Sequence, residues 1–433
     1  MHLPYLTRDL PGIGGSIKDS PEDFFVEEIP LYEPSGEGEH VYCQIEKKGI
    51  TTFDAINEIA YTLDIPRQDI GYAGMKDANA VTRQVLSVQG VTEEKLTGLK
   101  LDNITVRWVA RHGNKLRIGH LAGNRFAVRI RNINPADVVK VQPILDVIQK
   151  RGLPNFFGEQ RFGIRNNNDL LGAALIRDDS MAFLKLLLGT PDPRYDDAQS
   201  IHSRKLFDEH KNEESLHAWP RRCGLERRTL HRLIKSHKPS AAVRFIDEPL
   251  KRLWISALQS RVFNEVLTRR LDSIDKLMDG DFAWKHDNGA CFLVPAAAAE
   301  QARCESFEIS PTGPLVGYRM STPEAAALAI EQEVLAQFNL TPDQFRLEVK
   351  HKVKGARRPL RVKVQDLTLA GGADDEGPFA TLAFTLPAGA FATVLLAEVM
   401  KTEQEDSEEL ESPELAESPE GPDTESETST EQP

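Results

Sequence analysis

Cysteine is scarce in this chain, and so are the arrangements that would put it to use. The four cysteines, Cys43, Cys223, Cys291 and Cys304, form no C-x-x-C pair and lie in no histidine-rich spacing. Neither a disulfide framework nor a zinc site is therefore expected. No apolar run reaches the roughly eighteen residues of a membrane span, and the opening stretch from Met1 to Asp9 shows no secretory pattern. Internal repeats are lacking as well. These absences predict a cytoplasmic protein with reduced thiols, no metal and no membrane association. The chain has 433 residues, 40% hydrophobic and 27% charged, which is ordinary globular composition and enough length for two domains with cores of their own.

Acidic residues are abundant overall but missing from particular stretches. The net charge of -13 would by itself argue against a polyanionic partner. Residues 401–433, however, hold thirteen Asp or Glu and a single Lys, leaving 52 basic against 53 acidic residues in positions 1–400. The body is nearly neutral, and the Glu/Ser/Pro/Thr-rich tail, 402–433, has too little apolar surface to fold and reads as disordered. Between Asn103 and Ala136 there is no acid, while Arg107, Arg111, Lys115, Arg117, Arg125, Arg129 and Arg131 fall there. Lys350 to Val364 is likewise acid-free, with Lys350, Lys352, Lys354, Arg357, Arg358, Arg361 and Lys363. From Arg221 to Lys238, helical spacing puts Arg228, Arg232 and Lys235 on one face. One charged run is ordinarily a solvated surface. Three such runs in a neutral body predict segregated charge, as a phosphate-binding cleft requires.

The most informative segment is Gly71-Tyr-Ala-Gly-Met-Lys-Asp-Ala-Asn-Ala-Val-Thr-Arg-Gln84. It places Asp77 in a glycine-flanked loop beside Lys76, just before a strand-like run. The glycines suit a sharp turn and close backbone approach, and Lys76 would help keep the carboxylate ionised. Taken alone, such a pair is usually a solvated turn. Three further segments accompany it: Lys18-Asp-Ser-Pro-Glu-Asp-Phe-Phe-Val-Glu-Glu28, Pro154-Asn-Phe-Phe-Gly-Glu-Gln-Arg-Phe-Gly163 and Leu386-Pro-Ala-Gly-Ala-Phe-Ala-Thr393. In this order the four closely resemble the motifs of the TruD family of tRNA pseudouridine synthases, over about residues 16–170 and 350–400 and more weakly between them. The sequence departs from the family in having Asn155-Phe-Phe-Gly where Asn-Tyr-Phe-Gly is common, and in its acidic tail.

Patterning agrees with an α+β fold. Extended character marks Phe24–Ile29, His40–Ile45, Val85–Val88, Thr105–Ala110 and Phe126–Ile130. Thr51 reads as the N-cap of a helix, Pro135–Lys150 as a second helix, and residues 360–396 as short strands. In Trp254–Leu267, the residues Trp254, Leu258, Val262, Phe263 and Val266 share a helical face. The resemblance implies a catalytic domain with a mixed, mainly antiparallel sheet, split into residues 1–175 and 347–401 by an inserted α/β domain, residues 176–346.

It also implies the chemistry. Pseudouridine formation breaks the C1′–N1 bond of uridine, turns the base and rejoins it through C5, an isomerisation for which neither cofactor nor metal is expected. A carboxylate must stand beside the ribose, to attack C1′ or to take the C2′ proton, and Asp77 matches the family's catalytic aspartate. The target base must leave its stack, so the pocket needs an aromatic face and an amide that reads the uracil edge. Phe24, Phe391 and Asn155 match the family's substrate-binding positions. Of Phe156 and Phe157, between Asn155 and Gly158, one is expected to pack against the pocket, with Phe157 preferred. Arg161 would either brace Asp77 or contact a phosphate, and Lys18 and Lys76 are candidates for phosphate or carboxylate partners. The implied reaction is uridine-to-pseudouridine conversion in tRNA, at uridine 13 of the D-arm, with tRNA as partner and no obligatory protein partner. The competing readings are the same chemistry on other RNAs and a non-catalytic RNA-binding or folding protein, which would have no need of Asp77.

Overall fold

A computed structural model describes residues 3–346 and 353–402. The predicted disorder of the tail beyond Thr402, and Lys350 and Lys352 of the second basic run, lie outside the described residues. Six strands come first: β1 (Phe24–Pro30), β2 (His40–Lys48), β3 (Ile70–Tyr72), β4 (Val81–Gln89), β5 (Ile104–His112) and β6 (Leu121–Ile130). The short β7 (Leu153–Pro154) follows, then β8 (Asp281–Lys285), β9 (Cys291–Val294) and β10 (Ile309–Leu315). The chain returns through β11 (Ala356–Pro359), β12 (Arg361–Val362), β13 (Gln365–Asp374) and β14 (Gly377–Pro387).

Eight strands make the main sheet, in the order β13-β14-β6-β1-β4-β2-β5, with β3 on the second half of β4. Only β1 and β4 run parallel, Phe25 standing opposite Val81; every other pair is antiparallel. The fold is α+β with a mixed, mainly antiparallel sheet. A second sheet, β11-β10-β8-β9, and a set of helices follow the first six strands. Although β11 lies after residue 347, it pairs with β10, so this small sheet crosses the predicted boundary between insert and second catalytic segment.

Local sequence explains the elements near the site. Thr51 caps the helix Thr52–Leu63 in a capping box with Asp54, worth about 1 kcal/mol. The long helix Glu248–Arg270 buries Trp254, Leu258, Val262, Phe263 and Val266, the face predicted from their spacing. Two expectations change. Pro135–Lys140 is a 3-10 turn that leads into the α-helix Val141–Arg151. Ala392–Met400 is a helix, not a strand; its run of Val394, Leu395, Leu396 and Val399 is buried on more than one side, which removes the helical periodicity from the sequence.

One face of the main sheet carries the largest core cluster. Phe24 and Val26 of β1, Phe126 and Val128 of β6 and Phe384 of β14 pack there with Phe156, Phe157 and the helix Ala392–Met400. Alternation along β1 places Glu28 on the same face as Phe24 and Val26, and of the candidate site residues Phe24 and Phe157 belong to this cluster and Phe391 packs against it.

Candidate active site

Asp77 lies in the loop that leads from β3 into β4, and Lys18 precedes β1. Because β1 and β4 are parallel neighbours, residues 59 positions apart in sequence meet at the same end of the sheet. Lys18 Nζ donates to Asp77 Oδ2 at 2.7 Å and lies 4.8 Å above the Phe24 ring centroid. Half of the Asp77 side-chain surface remains exposed, against 23% of that of Lys18. Lys18 holds the left-handed backbone conformation, φ 64°, a cost for a residue with a Cβ. Asn79 of the Asp77 loop clamps it there, donating to the Lys18 carbonyl at 3.1 Å.

The expected role of Lys76 is corrected by its surroundings. Its ammonium turns away from Asp77 to the buried Glu28, at 2.9 Å, and to Asn124 Oδ1 at 2.8 Å. Lys76 and Asp77 lie in a loop outside any helix or strand, where sequence neighbours need not share a partner. Burial pushes the Glu28 carboxyl up, against the pull of Lys76 and the Val85 amide. Lys76 is the anchor of the loop, and Lys18 is the ion-pair partner of Asp77.

Lys47 was not singled out from the sequence, yet it lies directly beneath the loop. Fully buried, it donates to the carbonyls of Ile50 at 2.5 Å, Asp77 at 3.0 Å and Lys76 at 3.5 Å. Desolvation pushes its ammonium down to about 8, despite the nearby charge of Asp77. Its position inside an alternating strand was the available signal, since a lysine on a buried face is rare without partners. Gly71 is needed for close approach: a Cβ there would meet the Leu116 carbonyl and Ser87 Oγ, whereas Gly74 has only ordinary contacts.

The other wall is built from the Asn155 motif and the returning chain. β7 pairs with β12, and the Asn155 backbone amide donates to the Leu360 carbonyl at 2.9 Å. Asn155 Nδ2 donates to the Pro359 carbonyl at 2.9 Å, while Oδ1 accepts from Arg358 Nη2 at 2.5 Å. Phe157 is fixed by the buried Asn264, whose amide bonds both its N–H and its carbonyl at 2.9 Å. Its ring lies edge-on to Phe263 at 5.6 Å and 6.0 Å from that of half-buried Phe391. Arg161 braces this wall and does not bond Asp77: it donates to Ser256 and Ser260 and lies 5.8 Å from the Phe157 centroid.

Two clusters of predicted residues therefore form. Lys18 touches both Asp77 and Phe24, and Phe157, Arg161 and Phe391 group with Asn155 through Arg358. Phe24, Phe157 and Phe391 belong to one apolar cluster, which joins the two walls. Among the described residues, no group of three or more His, Cys, Asp or Glu is placed to hold a metal ion, and no helix is long and apolar enough to cross a membrane.

The basic runs are also revised. In the first, Arg107 pairs with Glu46, Arg111 with Glu93, Arg125 with Glu27, and Arg129 and Arg131 with Asp23 and Asp374. Neighbouring strands supply the acids that the run itself lacks, so most of its charge is neutralised across the sheet. In the second run, Arg357 is tied to Glu331 at 2.6 Å and Arg361 is fully buried. The helix Gly224–Ser236 does present exposed Arg228, Arg232 and Lys235, with exposed Phe245 beneath Arg232.

The comparisons agree with the motifs. The family model described as tRNA pseudouridine synthase D (TruD) matches residues 1–399. The chain belongs to the TruD family. It is 46% identical over 407 residues to the tRNA pseudouridine synthase D of Geotalea daltonii, covering 93% of this chain and all of that one. It is 36% identical to that of Thermus thermophilus over 419 residues, 96% of this chain and 97% of the relative. A crystal structure described as a tRNA pseudouridine synthase D from Methanosarcina mazei superposes with a TM-score of 0.80 at 26% identity, covering 93% of this chain and 99% of that one. As a TruD family member the protein is an isomerase that acts on RNA.

Proposed function

We propose that this TruD family member converts uridine 13 in the D-arm of tRNA to pseudouridine, with Asp77 as the carboxylate beside the ribose. The observation that carries this reading is the Asp77–Lys18 pair: a half-exposed carboxylate held at 2.7 Å by one lysine, in a loop anchored from below by two others. Such anchoring leaves the carboxylate poised without reorganisation, as catalysis by a charged group requires. The target nucleotide flips out of its stack, and the uracil lies between the faces of Phe24 and Phe391. Asn155 reads its edge: with one amide hydrogen on Pro359 and one lone pair on Arg358, it keeps one donor and one acceptor to offer. The Asp77 oxygen then attacks C1′ or takes the C2′ proton. The C1′–N1 bond breaks, the base turns, C1′ joins C5, and the C5 proton departs as N1 gains one; on the first route the new C1′–C5 bond displaces the Asp77 oxygen, and on the second the proton returns to C2′.

The outer RNA contacts belong to residues 176–346, the proposed inserted domain, where Arg228, Arg232 and Lys235 form an exposed face. No protein partner is required by this scheme, and the protein works in the cytoplasm.

Asp77→Asn tests the proposal. The amide is nearly isosteric, so fold and most tRNA affinity survive, while single-turnover tritium release from C5-labelled uridine in tRNA falls on the order of 10²–10⁴-fold. Near-normal product from the folded variant would remove Asp77 from the chemistry. Sequencing of the modified tRNA for the position of pseudouridine checks position 13 separately.

A further inference from the structure

We infer that Arg358 and Arg161 form an anion subsite beside the uridine pocket, one that takes a phosphodiester oxygen of the bound RNA. The inference rests on the proposed function for the identity of the ligand, and on the geometry for the site.

Both guanidiniums lie against one ring, 4.1 Å (Arg358) and 5.8 Å (Arg161) from the Phe157 centroid. Neither has a carboxylate partner among the described residues, in contrast to other arginines of the same region. Arg357 pairs with Glu331, Arg270 with Asp281, Arg261 with Asp169 and Arg151 with Asp275. Arg358 donates only to neutral oxygens, the carbonyl and Oδ1 of Asn155 and the carbonyl of Gly389, and Arg161 only to two serine hydroxyls. Two like charges held together against an apolar ring are unfavourable, and a counter-charge offsets both the repulsion and the desolvation. Burial, then the neighbouring Arg161, pushes Arg358 down to about 9, and burial lowers Arg161 in the same direction.

The approach to Arg358 is open at Gly389. Gly389 has φ 81°, and a Cβ built on it would meet nothing but Arg358 Nη1, at 3.6 Å. That position faces a guanidinium nitrogen with no hydrogen bond of its own among the described residues. Gly389 is exposed and both arginines are partly buried, so this position is reachable from outside. Gly389 lies two residues before Phe391, and Arg358 bonds Asn155, which sets the subsite next to the residues proposed to hold the base. Arginine forks suit phosphate oxygens, and a phosphate fixed here would position the flipped nucleotide without reading its sequence.

The test compares Arg358→Gln and Arg161→Gln with the unaltered protein in tRNA binding across a salt series. Each phosphate that a variant no longer neutralises makes the slope of log K against log salt shallower by roughly 0.7–0.9. The expected result is a shallower slope in both variants and tRNA binding weakened about tenfold at low salt, with the circular dichroism melt retained. Inorganic phosphate should raise the melting temperature of the unaltered protein and lose that effect in the variants. Unchanged slope and affinity in folded Arg161→Gln, whose partners are only serines, would overturn the subsite and leave the arginines as braces for the wall. Failure of the functional reading is separable: it would appear as an unaltered protein that makes no pseudouridine in tRNA, whatever its response to phosphate.

Discussion

The two walls of the candidate site are built on opposite electrostatic plans. Around Asp77 every lysine is committed: Lys18 to Asp77, Lys76 to Glu28, and Lys47 to three backbone carbonyls. Around Phe157 two guanidiniums share a ring and meet only neutral oxygens. The first wall is complete in itself and holds its own anion in place. The second has charge left over, and its counter-ion must come from outside. A site that isomerises a nucleotide needs both, one preorganised carboxylate and one region with affinity for the substrate's phosphates.

The contrast breaks most visibly at Lys76. Lys76→Met removes one partner from a buried pair whose side chains are 9% and 1% exposed, and should cost about 3–5 kcal/mol in chemical denaturation. Arg161→Gln, which loses only neutral hydrogen bonds, should cost about 1 kcal/mol in the same assay. Equal losses would mean that the two walls are not built differently.

Lys18→Met separates positioning from stability. The Lys18–Asp77 pair is too exposed to contribute more than about 1 kcal/mol to folding. Loss of the charge that orients the carboxylate should nevertheless slow single-turnover tritium release roughly 10²-fold. A melt that falls sharply while the rate holds would reverse that assignment.

Lys47 gives the smallest effect and a pH signature. Its folded value, about 8, lies below that of an unfolded lysine. Between about pH 8 and 10.4 the unfolded chain thus holds more protons, and stability from this group rises with pH across that window. Below about pH 8 the group is charged in both states, and its contribution is least favourable. Lys47→Met should lose this slope in denaturation curves. Over the same window the unaltered enzyme should slow, because a neutral amine holds the Asp77 carbonyl less firmly. A variant with an unchanged stability slope would remove Lys47 from the loop's support.

Much of this architecture was legible in the chain. Strand alternation located β1, β2, β4, β5 and β6, the Thr51 cap opened its helix, and helical spacing identified the buried face of Glu248–Arg270. Four motifs in order were enough to assign the family. The helix Ala392–Met400 was misread because a run buried on several sides shows no period, and Lys47 and Asn264 passed unnoticed because their meaning depends on what lies across from them.

Local pattern therefore set the elements, the family motifs and the identity of the catalytic candidate, since propensity, capping and alternation act between near neighbours. Partnership among charges was settled by the fold. An acid-free run from Asn103 to Ala136 became a set of ion pairs once β1, β2 and β13 supplied their carboxylates. Lys76, next to Asp77 in sequence, turned to Glu28, while Lys18, from the segment before the parallel strand β1, took its place. Coulomb and hydrogen-bond energies depend on distance through space, and strand register, not sequence order, sets which groups come within reach.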